Sequence, residues 1–316
     1  MTLVRALVWI SLVLVLVVNA ASAYVRLAQQ GLGCDPWPQC YGQTAPQDAG
    51  AVPAEDSPHF YVRATHRLAA SLAGVLFLAI AFLGWSGWRR AAPRAAAVKL
   101  LVLAAFLAWL GRHTPSLVPA VTIGNVVAGM ATFGLLAWLA AWRPAAGPAR
   151  DPIQIGPARL TAAALVVALA QIGLGALASA RYVAAACEGF PACGGTWWPA
   201  GGAAGFDIFA ATTVPLAAAE EAARQAVQLA HRLGALAHAL AAAAVAIRAF
   251  RRTDGPRAAA VVLLLLVAAQ FALGAVIVSA GAPLATAVAH NVISNLALGA
   301  LAWLHCRAQY ARGAVR

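Results

Sequence analysis

Acidic residues are scarce in this chain. Its 316 residues include ten Asp and Glu, and charged residues of both signs amount to 10% of the sequence. Because soluble globular domains carry about 25% charged residues, this composition excludes an ordinary soluble enzyme and an acidic disordered chain. No Asp or Glu interrupts the long apolar runs, which argues against a proton-coupled transporter because such proteins use carboxylates inside the membrane.

Several familiar enzyme motifs are also absent. The sequence has no Walker A loop, no Rossmann glycine pattern, no His-Glu-x-x-His and no Gly-x-Ser-x-Gly. Nucleotide-binding, zinc-protease and serine-hydrolase chemistries are therefore not indicated. The functional residues must be sought within the apolar runs or beside them.

Long apolar runs dominate the sequence, which is 62% hydrophobic with a mean hydropathy of +0.78. The runs are rich in Ala, Leu and Val and do not alternate with a period of two, so they indicate helices and not barrel strands. We predict an all-α polytopic membrane protein with eight transmembrane helices. The third has the shortest apolar run, and a start a few residues before Leu100, near Ala95, is the alternative for it. The predicted spans are approximately Val4–Tyr24, Tyr61–Trp85, Leu100–Gly111, Pro119–Trp142, Leu160–Ala180, Arg224–Phe250, Ala258–Ala280 and Pro283–His305.

The net charge of +12 indicates topology and not nucleic-acid binding, because the basic residues lie in short loops after alternate spans and in the C-terminal tail. Short loops rich in Lys and Arg stay in the cytoplasm. Both termini are therefore expected inside, with Val25–Phe60 and Arg181–Ala223 outside. We read the first apolar run as a retained span and not a signal peptide. Without an Arg- and Ser-rich leader, the plasma membrane of a bacterium is the expected location.

The outer segments contain a repeated cysteine pattern. Cys34 and Cys40 form a Cys-x5-Cys motif with Pro two residues before the second Cys, and Cys187 and Cys193 form another at an offset of 153 (187 − 34 and 193 − 40). The outer compartment is oxidising, so we expect a disulfide within each pair. Reduced thiols and metal ligation are the alternatives, although neither pair has the usual zinc spacing.

A second repeat lies in the spans. His66 and His231 each begin a His-Arg-Leu sequence at an offset of 165 (231 − 66), and the same offset relates His290 to Asn125. The repeats predict two four-helix bundles related by a pseudo-twofold axis along the membrane normal. The expected division is 1–150 for the N-terminal bundle and 151–316 for the C-terminal bundle.

Three histidines lie inside apolar spans, about seven residues or ~10 Å below the outer helix ends. Ionisable residues at this depth are costly and indicate function. His231 and His290 are a candidate bis-histidine pair for haem iron, since helix bundles build cofactor sites from facing side chains. Hydrogen bonding between helices is the alternative. The N-terminal half offers His66 as a metal ligand, with Asn125, a poor ligand, at the partner position.

An arginine follows two of these histidines. Guanidinium groups bind carboxylates well, so Arg67 and Arg232 are candidates for contacts with outward-pointing haem carboxylates. An arginine that extends to the membrane surface is an equal alternative.

The sequence resembles the haem A synthase family over nearly its whole length. The most specific feature is the first outer segment, with Arg26-Leu27 followed by Gly31-Leu32-Gly33-Cys34-x-Pro36-Trp37-Pro38-x-Cys40-Tyr41-Gly42. The two His-Arg-Leu sequences, the second cysteine pair and His290 also match.

The resemblance implies an eight-helix membrane oxidoreductase that converts the methyl group of haem O to the formyl group of haem A for cytochrome oxidase biogenesis. It implies a haem b between His231 and His290, and a substrate haem in the N-terminal bundle with His66 as a catalytic residue. Implied partners are the lipid membrane, haem O synthase and cytochrome oxidase assembly proteins.

Two positions depart from the family pattern. Asn125 stands where the family has a second N-terminal histidine, and Arg63 stands where it often has Glu. Both changes fall in the substrate half. They keep open a non-catalytic haem-binding or oxidase-assembly protein, with a quinol-linked cytochrome b as a further alternative.

Overall fold

The computed structural model describes residues 2–43, 58–88, 91–142, 155–187, 189, 192–251 and 256–309. Within these residues the chain forms eight long helices and, beyond one isolated bridge, no strand. The all-α, eight-helix prediction is therefore confirmed. The helices are α1 (Thr2–Gln29), α2 (Pro58–Gly87), α3 (Ala91–Leu110), α4 (Pro119–Ala141), α5 (Ile155–Ala180), α6 (Glu221–Phe250), α7 (Arg257–Ser279) and α8 (Leu284–Gln309).

Each of these helices is long and apolar enough to cross a membrane. Large apolar side chains project outward from the bundle, including Phe82, which is 81% exposed, and Val166 and Leu240. Such side chains are costly in water but find their natural solvent in lipid. The chain is a multi-pass membrane protein.

Helix α3 begins at Ala91, about nine residues before the predicted Leu100. Arg94 and Lys99 interrupt the apolar run in the sequence, so hydropathy alone places the start too late. The guanidinium of Arg94 lies 5.5 Å from the ring centroid of Trp85 on α2, and cation–π contact with an aromatic ring stabilises a basic residue at the membrane surface.

The helices pack as two rings that share one seam. Helices α1, α2, α3 and α4 contact each other in cyclic order, and α5, α6, α7 and α8 do the same. The main contact between the rings joins α4 to α8, flanked by contacts of α1 with α8 and of α4 with α5. The seam therefore uses the first and fourth helices of each ring.

Small residues bring α4 and α8 close together. A Cβ atom on Gly299 would stand 2.5 Å from Cε1 of Phe133, and one on Gly134 would stand 3.4 Å from Leu298. Small residues are the usual device for close helix packing in lipid, where burial of apolar surface gives little driving force. Helix α4 is also the most buried of the described helices.

The outer segments form an ordered layer over the bundle. The sulfur atoms of Cys34 and Cys40, and of Cys187 and Cys193, are at disulfide distance, as expected. The buried guanidinium of Arg181 donates to the carbonyl of Gly205 and to other groups of the second outer segment. This layer fixes the outer ends of the helices that carry the candidate site residues.

Candidate functional site

His231 on α6 and His290 on α8 face each other inside the C-terminal ring. Their ring centroids are 6.4 Å apart and the ring planes are inclined by 67°. Both residues are half-buried. The structure therefore brings together the two histidines that the repeat singled out.

Two glutamines hold this pair from the neighbouring helices. Nε2 of Gln171 on α5 lies 3.0 Å from the carbonyl oxygen of His231 and 3.1 Å from its ring nitrogen Nδ1. Nε2 of Gln270 on α7 donates to the carbonyl of His290 at 2.6 Å. Each histidine is thus held by an amide from the preceding helix, through the ring and the backbone for His231 and through the backbone for His290.

A glycine one turn after each glutamine leaves room for the imidazoles. A Cβ atom on Gly175 would stand 3.1 Å from Cε1 of His231, and one on Gly274 would stand 3.7 Å from Cε1 of His290. These glutamines and glycines were not among the residues predicted from the sequence. A repeated Gln-x3-Gly pattern, at Gln171 and at Gln270, is the signal that could have found them.

The residues of this pair fit a haem iron. Two metal–nitrogen bonds of about 2 Å, added to imidazole radii of about 1 Å, place the centroids of opposed histidine ligands about 6 Å apart. The observed separation is 6.4 Å.

Arg232, next to His231, is held by the outer layer. Its Nη1 atom donates to the carbonyl oxygens of Gly189 at 3.1 Å and Ala192 at 3.0 Å. These bonds tie α6 to the second disulfide segment. A contact with a haem carboxylate remains a prediction for this residue.

The N-terminal ring encloses a cavity of about 1120 Å³. Ligand pockets usually measure about 300–1,000 Å³, so this cavity suits a large ligand. His66, Asn125, Arg63 and Arg67 all line it. The structure therefore gathers the predicted N-terminal residues and both departures from the family pattern around one space.

The cavity is basic at its outer end and largely apolar deeper in the membrane. Arg26, Arg63, Arg67 and Arg112 line it near the outer ends of α1, α2 and α3, and its described lining contains no Asp or Glu. Deeper positions carry apolar side chains such as Phe77. This gradient suits an amphipathic ligand whose carboxylates point outward.

His66 is less constrained than the C-terminal pair. It is half-buried, and no hydrogen bond joins it to another residue of the described part of the chain. Asn125 likewise has no hydrogen bond there through its amide. The N-terminal site is thus open, with one histidine and no supporting amide.

Polar contacts cross the seam between the two sites. Nη2 of Arg26 donates to Oδ1 of Asn291 at 3.1 Å, and Asn291 directly follows His290. Nδ2 of Asn19, also in the cavity wall, donates to the buried Asn295 at 3.0 Å. These contacts connect the cavity wall to the helix that carries His290.

Comparison with known proteins agrees with this geometry. The family model for the cytochrome oxidase assembly protein (COX15-CtaA) matches residues 5–302. The chain is 31% identical over 300 residues to the haem A synthase of Shewanella oneidensis, with 89% of each chain covered. The haem A synthases of Rhizorhabdus wittichii and Shouchella clausii are each 27% identical, over 93% and 92% of this chain and 91% and 92% of theirs. The chain belongs to the cytochrome oxidase assembly protein family.

Proposed function

We propose that this membrane protein is a haem A synthase, which oxidises the ring methyl of haem O to the formyl group of haem A during cytochrome oxidase biogenesis. One observation carries the proposal: the chain combines a fixed histidine pair with a separate large cavity that holds His66. A cofactor that stays and a substrate that exchanges need two such unlike sites. The haem A synthases to which the chain is similar support the same reaction.

In this proposal, His231 and His290 hold haem b in the C-terminal half. When bound, haem b supplies one-electron transfer. Gln171 contacts the ring nitrogen Nδ1 of His231, Gln270 holds the backbone carbonyl of His290, and the apolar helices of this half limit the access of water. Arg232 lies at the outer side of this site, where a haem carboxylate would add to its loop contacts.

The N-terminal cavity receives haem O. His66 is the proposed metal ligand and catalytic residue, because it is the histidine in the cavity wall. Arg67 and the other outer arginines bind the carboxylates, while the apolar depth of the cavity accepts the hydrocarbon part of the substrate and keeps water from it. Asn125 adds an amide where a second ligand would otherwise stand, so the substrate binds weakly enough to leave as product.

We further propose that the two halves divide near residue 150, into 1–150 for the substrate and 151–316 for haem b. The proposed location is a bacterial plasma membrane, and the basic loops favour an orientation with both termini in the cytoplasm. The disulfide segments then face the oxidising side. Haem O synthase is the expected source of the substrate, and cytochrome oxidase assembly proteins are the expected recipients of the product.

Coexpression with a haem O synthase tests this function. Haem should be extracted from the membranes and analysed by mass, with the His66→Ala protein as the matched control. Haem A or its hydroxylated intermediate should accumulate with the unaltered chain and not with His66→Ala. Unchanged haem O, despite a folded protein with its haem b, would contradict the proposed reaction.

A second candidate function is non-catalytic haem binding during oxidase assembly. Asn125 and Arg63 favour it, because both stand in the substrate cavity in place of residues that the family uses there. The same extraction separates the two functions: a haem carrier would retain haem O without changing its mass.

A further inference from the structure

Three helices end in the same backbone turn, but one of them uses an unusual residue. The amides of Leu32, Val183 and Ala282 donate to carbonyls five residues earlier, at the ends of α1, α5 and α7. The residue before each of these amides has a positive φ: 83° at Gly31, 53° at Tyr182 and 71° at Gly281. Glycine is the usual residue at this position, and a bulky side chain disfavours the left-handed conformation.

The side chain of Tyr182 offers a reason for keeping this strained backbone. Tyr182 follows α5 of the C-terminal ring, yet it lines the N-terminal cavity together with Arg26 of α1 and Gln30, which follows α1. The residue is 2% exposed, and its ring centroid lies 5.6 Å from that of Tyr41. Strain at one residue, next to a ligand cavity, is a recognised mark of a functional position.

The hydroxyl of Tyr182 lacks a partner within the described residues. The neighbouring Tyr41 differs, because its hydroxyl receives a hydrogen bond from the backbone of Ala184. Burial raises the pKa of Tyr182 to about 12, so the group stays protonated and remains a donor at neutral pH. A hydroxyl without a partner in a cavity wall is available to donate to an acceptor on a bound ligand.

The chemistry of the acceptor follows from the surroundings. Arg26, Arg63, Arg67 and Arg112 line the same outer end of the cavity, without an acidic residue in its described lining. This end therefore attracts an anion. We propose that Tyr182 is a further substrate-binding residue, whose hydroxyl donates to a carboxylate of the ligand beside these arginines. The inference rests on the proposed function, in which that ligand is haem O.

Tyr182→Phe tests the proposal, because it removes the hydroxyl and keeps the ring. Haem O is titrated by absorbance into the purified full-length protein with its C-terminal haem in place. A hydrogen bond to a carboxylate predicts that Tyr182→Phe binds haem O at least about tenfold more weakly. Tyr41→Phe is the matched control: Tyr41 does not line the cavity, and its loss should change the affinity by less than about twofold.

A second variant and a second probe separate the possible outcomes. Tyr182→Gly removes the whole side chain at a position that suits glycine, and it should weaken binding at least as much as Tyr182→Phe. The dimethyl ester of haem O lacks the carboxylates, so Tyr182→Phe and the unaltered protein should bind this ester with nearly the same affinity. Equal affinity of both proteins for haem O would overturn the role of Tyr182 and leave the proposed function intact. If Tyr182→Phe weakens binding of the ester as much as it weakens binding of haem O, the contact with a carboxylate is overturned. If the unaltered protein does not bind haem O, the proposed function itself is refuted.

Discussion

The two halves of this molecule share a helix arrangement and differ in how firmly they hold their central residues. In the C-terminal half, His231 and His290 are both fixed by glutamines from neighbouring helices. In the N-terminal half, His66 has no hydrogen bond to a described residue and faces a cavity of about 1120 Å³ with Asn125. The C-terminal half thus holds its central histidines in place, whereas the central residues of the N-terminal half face an open cavity.

The arginines of the two halves differ in the same way. Arg232 and Arg181 donate to backbone carbonyls of the outer layer, whereas Arg67 is exposed and lines the cavity. A guanidinium that already donates to the protein stabilises the fold, while one that faces a cavity is available to a ligand. The divergence of the halves therefore extends from the central histidines to the charges around them.

The largest expected effect comes from removing either histidine of the fixed pair. His231→Ala or His290→Ala should abolish the low-spin optical signature of the purified protein, because one imidazole alone leaves the iron with an incomplete ligand set. The exposed His113 provides the control, since His113→Ala should leave the spectrum unchanged. A normal bis-histidine spectrum in both single variants would contradict the ligand assignment.

The next largest effect is expected from giving the N-terminal half a second histidine, as in the C-terminal half. Asn125→His should add a second bis-histidine haem with His66, raising the haem content towards two per chain. The gain should vanish in the double variant Asn125→His, His66→Ala. A folded Asn125→His protein without additional haem would show that the N-terminal ring does not form a haem pocket.

The supporting amides should have a smaller but measurable effect. Gln171→Leu removes contacts with the ring and backbone of His231, and loss of contacts that orient a ligand typically weakens metal binding about 10–100-fold. Gln270→Leu removes a contact with the backbone of His290 and should have a smaller effect. Haem transfer from each variant to an excess of apomyoglobin measures this change. Gln225→Leu, away from the pair, serves as the control, and unchanged transfer rates in both test variants would remove the proposed role of the amides.

The smallest expected effects distinguish Arg67, which lines the cavity, from Arg232, which donates to the outer layer. Arg67→Gln should weaken haem O binding while the unfolding temperature stays within about 1 °C, because an exposed side chain contributes little to stability. Arg232→Gln should lower the unfolding temperature by roughly 2–4 °C, because two hydrogen bonds to the outer layer are lost. Thermal unfolding and haem O titration of both variants check this contrast, and identical behaviour of the two would contradict it.

The sequence was sufficient to predict the features that repeat or that have a simple period. Apolar runs of membrane-spanning length predicted the eight helices, and the paired motifs predicted the cysteine pairs and pointed to the three histidines within the spans. The start of α3 was placed too late, because hydropathy does not count the apolar stems of Arg94 and Lys99 or the cation–π contact with Trp85.

The residues that distinguish the two halves were harder to predict, because their roles depend on contacts between distant segments. The contact between Arg26 and Asn291 joins α1 to α8, and Tyr182 reaches the cavity of the opposite half through its unusual backbone. Neither contact has a periodic pattern in the sequence. Gln171 and Gln270 were accessible in principle, since they share a repeated pattern with the glycines that follow them.

In the proposed division of roles, the C-terminal half retains its haem and the N-terminal half exchanges its own. The most direct measurement loads the purified protein with haem b and haem O, adds an excess of apomyoglobin, and follows both the low-spin spectrum and the mass of the haem that leaves. The account predicts that haem O leaves first, while the low-spin signature of the His231–His290 haem persists. Loss of the low-spin signature in step with haem O, or before it, would contradict the division of roles between the two halves.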